Sequence, residues 1–122
     1  MNSLNRVTLM GNLGKDQKIE EGEHVQLSLA TYDFSEDTNG DFKQGIEWHT
    51  IKIFNEEFLE TIVPTLKKGD LVFIEGMLKT RKWTDTAGNS HQISEVIVGR
   101  GAGNVLKLKS SLEVLDDTPL EE

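Results

Sequence analysis

The chain has 122 residues and a mass of 13.7 kDa, the size of one domain that buries roughly two-thirds of its unfolded surface without covalent staples. Cysteine is absent, which excludes disulfides, thiolate nucleophiles and Cys-ligated zinc and fits a reducing compartment, and no apolar run nears the roughly 20 residues that span a bilayer. With 13 Lys plus Arg against 21 Asp plus Glu, the net charge of -8 and pI of about 4.9 argue at first sight against nucleic acid or an anionic membrane as partner.

The position of that charge matters more than its sum. Residues 113–122 hold Glu113, Asp116, Asp117, Glu121 and Glu122 with no basic residue, so residues 1–112 carry only -3. The expected organisation is one domain over residues 1–112 and a short acidic tail over 113–122. No charged leader with an apolar stretch follows Met1, and a soluble cytoplasmic protein without a membrane partner is expected.

In chain order, Arg6 to Asn12 alternates with Val7 and Leu9 on one face, and Val25 to Phe34 alternates with Val25, Leu27 and Leu29 inward. Both read as half-buried strands. Gly14 to His24 between them reads as a charged connection with room for a bent extension of the first strand. Ser35 to Gly45 is polar around Asn39-Gly40, a hairpin turn signal, so it forms either a two-strand finger or a loop. A third strand covers Glu47 to Phe54.

Next comes the single helical pattern. Asn55 is an N-cap candidate, Glu56 and Glu57 suit the first turn, and Phe58, Leu59, Ile62, Val63 and Leu66 make an apolar stripe closed by Lys67-Lys68-Gly69. Pro64 inside this stripe costs a backbone donor, so an irregular helix of two to three turns is expected. Leu71 to Thr84 is a long strand with Val72, Ile74 and Leu78 toward the core, and Ile93 to Val98 follows the turn at Ala87-Gly88-Asn89. Leu106, Leu108, Leu112 and Val114 offer a short extra strand after Gly101 and Gly103. Five strands with one short helix between the third and fourth match the all-β, five-stranded Greek-key barrel known as the OB-fold, although spacing alone leaves other small barrels open.

The aromatic residues take the wet side of these strands. If Val25, Leu27 and Leu29 point inward, Tyr32 and Phe34 point outward. Trp48, Thr50, Lys52 and Phe54 share the face opposite His49, Ile51 and Ile53, while Lys79, Arg81 and Trp83 alternate away from Val72 and Ile74. Rings stack on unpaired bases for roughly 1–3 kcal/mol each, and neighbouring Lys or Arg bind the linking phosphates, so this mixture suits single strands. A duplex would reward a groove-reading helix or ribbon, and none is indicated. Exposed aromatics also cover subunit interfaces, which is the competing reading.

Enzymatic constellations are weak. His24, His49 and His91 are far apart without metal-ligand spacing; His49, on an apolar strand face, reads as a hydrogen-bonded structural residue. Glu56-Glu57 and Asp116-Asp117 lack the apolar setting that raises a carboxyl pKa. Gly99-Arg100-Gly101-Ala102-Gly103 fails as a dinucleotide fingerprint, because Asn104 takes the third glycine position and too little chain follows. No metal, cofactor or catalytic residue is expected.

Five short stretches in register then carry a resemblance: Asn5-Arg6-Val7-Thr8-Leu9-Met10-Gly11-Asn12-Leu13-Gly14-Lys15-Asp16, Glu47-Trp48-His49, Leu66-Lys67-Lys68-Gly69-Asp70, Ile74-Glu75-Gly76 and Thr80-Arg81-Lys82-Trp83-Thr84-Asp85. In this order and spacing the chain, over roughly residues 4–100, resembles the bacterial single-stranded DNA-binding protein family. The resemblance implies an OB-fold that assembles as a homotetramer and wraps single-stranded DNA over aromatic residues during replication, recombination and repair, without catalysis or a cofactor. Trp48, Trp83 and Phe54 stand at the family's stacking positions, and Phe34 replaces a further tryptophan with a smaller ring. Lys52, Lys79, Arg81 and Lys82 are the candidate phosphate ligands.

Typical members also carry a Gly-, Pro- and Gln-rich linker ending in an acidic tip with a closing Pro-Phe that recruits replication and repair proteins. Here the linker is missing, and Asp116-Asp117-Thr118-Pro119-Leu120 looks like a degenerate tip with Leu120 in place of the aromatic. Asp116, Asp117, Pro119 and Leu120 are therefore candidates for weak partner binding, against a purely solubilising terminus. An adaptor of the primosome or recombination machinery, with minor DNA binding, is the alternative function.

Overall fold

A computed structural model describes residues 1–15, 24–112 and the backbone of 18–20. Among the described residues, seven strands form one sheet: β1 (Val7–Leu13), β2 (Lys18–Glu20), β3 (His24–Glu36), β4 (Phe42–Ile53), β5 (Leu71–Thr84), β6 (Ser90–Val98) and β7 (Asn104–Lys109). Pairing runs β1-β3-β4-β6-β5 and returns from β5 to β1, so five strands close a barrel; β4 and β6 are its parallel pair. The expected five-stranded OB-fold is thereby observed, with β2 as a short flap on β3 and β7 as an edge on β5.

Alternation explains the interior. Leu27, Leu29, Ile51, Ile53, Val72, Ile74 and Val98 are each 2% exposed or less, as period-two strands with one dry face require. Gly11 lets β1 cross close to β3: a Cβ there would lie 2.0 Å from the Ala30 carbonyl oxygen.

The helix is shorter than its apolar stripe suggests. Asn55 Oδ1 accepts from the Phe58 N–H at 3.2 Å and caps α1 (Glu56–Glu60), which stops after five residues. A 3-10 turn, Val63–Thr65, follows with Pro64 in its first positions, where no backbone donor is needed. Val63 and Leu66 are buried, and Phe58, Leu59 and Ile62 pack against the core, so the stripe survives although the α-helix does not.

One further expectation is corrected. Leu78 is 49% exposed, not a core residue, because β5 outruns the barrel and continues with β6 as a two-stranded arm from Leu78 to Thr84. The expected extra strand forms over Asn104–Lys109, so it includes Leu106 and Leu108, both facing outward beside the buried Val105, and stops short of Leu112; Val114 lies outside the described residues. The Ser35–Gly45 segment is a finger: β3 and β4 pair out to Glu36↔Phe42 around a turn at Asp37–Asp41, with Gly40 at φ 84°. The candidate tail residues Asp116, Asp117, Pro119 and Leu120 lie outside the described residues.

Candidate nucleic-acid interface

Cross-strand register decides which side chains share a face. Along β3 and β4 the pairs Gln26↔Lys52, Ser28↔Thr50, Ala30↔Trp48, Tyr32↔Ile46, Phe34↔Gln44 and Glu36↔Phe42 all point away from the Leu27–Ile51 interior. On the arm, Met77↔Ile97, Lys79↔Glu95, Arg81↔Ile93 and Trp83↔His91 share a face in the same way. The parallel pair Lys52↔Ile97 joins the two sets into one outer surface. It carries Phe34, Trp48, Lys52, Phe54, Lys79, Arg81 and Trp83. Lys82, paired with Gln92, points to the opposite side of the arm and is the one candidate not brought together with the others.

At the centre is a cleft of about 300 Å³ lined by Lys52, Phe54, Lys79, Thr80, Arg81, Glu95 and Ile97. Phe54 forms one wall and is fixed by His24, whose ring stacks on it at 4.7 Å between centroids. Three cations surround one carboxylate, so the cleft is positive despite the acidic whole.

That carboxylate was not anticipated. Glu95 is 4% exposed; its Oε1 accepts from Arg81 Nε at 3.3 Å, and Lys52 Nζ lies 3.2 Å from Oε2. The ammonium sits off the hydrogen-bond axis, so Oε2 has a charge partner but no directed donor. Lys52 is only 15% exposed, and this buried contact, more than solvent, sets its position. Arg81, half exposed, uses Nε for Glu95 and lays its guanidinium 4.8 Å from the centre of the Trp83 ring.

Trp83, 41% exposed, also stacks on His91 at 5.2 Å with planes 19° apart. His91 Nε2 is 2.7 Å from Asp85 Oδ2, and that contact, with the Asn89 and Ala87 N–H groups, holds the Asp85 carboxyl below its ordinary value. Trp48 is half-buried opposite Ala30, whereas Phe34 is 73% exposed on the finger. His49 bonds Thr31 Oγ1 at 2.8 Å, in line with a structural role. Tyr32 is half-buried, and its hydroxyl reaches Asn12 Oδ1 at 3.3 Å.

Sequence reasoning passed over Phe42, 76% exposed on the ring face, and Glu95, and it weighed His24 and His91 only as metal ligands, not as rings stacked on Phe54 and Trp83. Counting outward from Asn39-Gly40 locates Phe42 beside Phe34, so a signal existed there. Glu95 had none, because only the parallel pairing of β4 and β6 brings it to Lys52. Among the described residues, no group of three or more His, Asp or Glu side chains is arranged to hold a metal ion, and no helix is long and apolar enough to cross a membrane.

Comparisons with known proteins agree with this geometry. Residues 4–103 match the single-strand binding protein family. A Rhizobium meliloti single-stranded DNA-binding protein is 39% identical over 101 residues, covering 79% of this chain and 58% of that relative, so the chain spans little more than half its length. A Plasmodium falciparum protein solved in complex with single-stranded DNA superposes with a TM-score of 0.82 at 31% identity, covering 89% of this chain and 98% of that one. The mitochondrial single-stranded DNA-binding protein Rim1 of S. cerevisiae shares the fold at a TM-score of 0.61 and 16% identity, covering 89% of this chain and 99% of that one. With the barrel, its outer ring-bearing face and a family match over most of its length, the chain belongs to the single-strand binding protein family.

Proposed function

We propose that the protein binds single-stranded DNA with little sequence preference and shields it during replication, recombination and repair, without catalysis and without a cofactor. The observation that carries this is the continuous outer face on which Phe34, Trp48, Phe54 and Trp83 alternate with Lys52, Lys79 and Arg81. Bases stack on the rings and phosphates pair with the cations, while Lys82 meets phosphate from the far side of the arm. The Plasmodium falciparum relative, solved with single-stranded DNA, supports the same ligand here.

We further propose a homotetramer. Met10↔Phe73 and Phe73↔Leu106 pairs align an outward apolar row across β1, β5 and β7, with Met10 59% exposed and Leu108 beside it; such a patch favours burial against another copy. The acidic tail, through Asp116, Asp117, Pro119 and Leu120, is the proposed contact for replication and repair proteins.

Titration with oligo-dT, followed by tryptophan emission, tests the main reading. Quenching is expected with single strands and not with a duplex, and affinity should fall with salt at a log–log slope of about -0.7 per phosphate neutralised. Unquenched emission, together with full affinity in a Trp48→Ala, Trp83→Ala variant, would refute stacking. Light scattering of Met10→Glu, Leu106→Glu against the parent chain tests the assembly.

A further inference from the structure

We infer that Phe42 is an additional base-stacking residue and that Phe34 and Phe42 together form a two-ring platform at the tip of the β3–β4 finger. This rests on the single-strand reading above and extends its binding path beyond Trp48.

Three observations carry it. First, Phe42 is 76% exposed and Phe34 73%, which makes them the most exposed aromatics among the described residues. Second, the pairs Phe34↔Gln44 and Glu36↔Phe42 put the two rings on the Trp48 side of the sheet as diagonal neighbours, roughly 7 Å apart at Cβ. Phe42 then lies six residues beyond Trp48 on the same strand face, about 20 Å along the strand. Third, the finger is built to hold its shape. The ladder continues to Glu36↔Phe42, the Asp37 and Asp41 backbones close the turn at 2.9 Å, and Asp37 Oδ1 accepts from the Asn39 and Asp41 N–H groups at 2.9 and 3.0 Å.

Charge on the finger selects the part of the nucleic acid that is bound. The ring face from Trp48 to Phe42 carries Ile46, Gln44, Tyr32 and Glu36 but no cation, while Asp33, Lys43 and Glu47 project from the back. Phosphates gain nothing there, so the finger takes bases and leaves the backbone in solvent. An apolar protein partner would also accept two exposed rings; continuity with the Trp48 face favours the bases.

The platform makes a distinctive signature. Phe42→Ala should weaken binding to oligo-dT of about 16 nucleotides by about fivefold or more, the lower end for one stacked base, and leave an oligonucleotide of about 4 nucleotides unaffected. The slope of log affinity against log salt should not change, because no phosphate contact is lost. Phe42→Leu should lose as much as Phe42→Ala, since an aliphatic side chain offers no ring face. Phe42→Trp should restore affinity and add emission that the longer oligonucleotide quenches. Unchanged affinity in Phe42→Ala with no quenching of the new indole, while Trp48 and Trp83 still quench, overturns the platform and leaves the main reading standing. Loss of all quenching in the parent chain overturns the main reading itself. A Phe42→Ala protein with altered subunit number by light scattering, but parental affinity per subunit, places the rings in an interface and also overturns it.

Discussion

Replacing Glu95 by Gln should make the protein less stable and a tighter DNA binder. Glu95 is buried between Lys52 and Arg81, at 3.2 and 3.3 Å, and the exchange keeps its volume and an acceptor for Arg81 Nε while removing the charge. Removing one member of a buried pair costs about 3–5 kcal/mol when the other is left fully uncompensated. Arg81 is half exposed, so its share is the 0–1 kcal/mol of a surface pair, and the cost falls mainly on Lys52. A net loss of roughly 1–3 kcal/mol follows, or roughly 4–12 °C in Tm at about 4 °C per kcal/mol for a chain this size. DNA affinity moves the other way. One unit charge removed beside phosphates in a partly screened cleft contributes roughly 0.5–1 kcal/mol, a gain of about two- to fivefold at low salt that shrinks as salt rises.

Calorimetry at fixed protein concentration and oligo-dT titration across a salt series measure both quantities. A Tm equal to the parent's would mean that Lys52 does not depend on Glu95. If affinity instead falls in a folded Glu95→Gln protein, the carboxylate acts by steering Arg81 onto Trp83, and the counter-charge reasoning is refuted.

Gly11→Ala should destabilise the barrel by about 3 kcal/mol or more, read by chemical denaturation, because its Cβ meets the Ala30 backbone at 2.0 Å and neither strand can give way. Asp70→Ala should cost about 3–5 kcal/mol in the same assay and Asp70→Asn less: its buried carboxylate accepts from the Lys67 and Ser111 N–H groups at 2.8 and 2.7 Å and faces Lys107 at 3.3 Å. Asp85 should titrate by NMR below the free value of about 3.9, and His91→Ala should move it back up, since His91 is the largest cause of the depression. With the folded pKa depressed, its contacts act fully above about pH 3.9 and are lost as pH falls through the lower folded value.

Local rules carried the sequence reading where a segment's neighbours were its own hairpin partners. Alternation in β3, β4 and β5 placed Trp48, Phe54 and Trp83 on the outer face, Asn39-Gly40 marked the finger, and Asn55 marked the cap. It failed where the environment depends on strands far apart. Leu78 has the period of a core residue, yet the barrel ends before it; Leu106 and Leu108 signal a strand, but only its register with β5 turns Val105 inward. A helix stripe predicts burial, and Val63 and Leu66 are buried, but Pro64 splits the backbone between an α-helix and a 3-10 turn.

The same distinction resolves the acidity of the chain. Net charge sums over all faces, whereas a phosphate meets only the face it approaches, within a Debye length of about 10 Å at ordinary salt. Around the cleft, Glu95 is buried between two cations and presents no uncompensated carboxylate to an approaching strand. Asp33 and Glu47 project from the back of the finger, and Asp70 is buried beneath Lys107. Lys79 and Arg81 stay exposed. Placing a carboxylate beside the cleft should therefore cost far more than its one unit of net charge suggests: Thr50→Glu, between Trp48 and Lys52, should weaken oligo-dT binding most at low salt. The equally acidic Ser35→Glu, on the back of the finger opposite Lys43, should leave affinity near the parent's. Equal losses in the two variants would show that total charge, not its placement, governs binding.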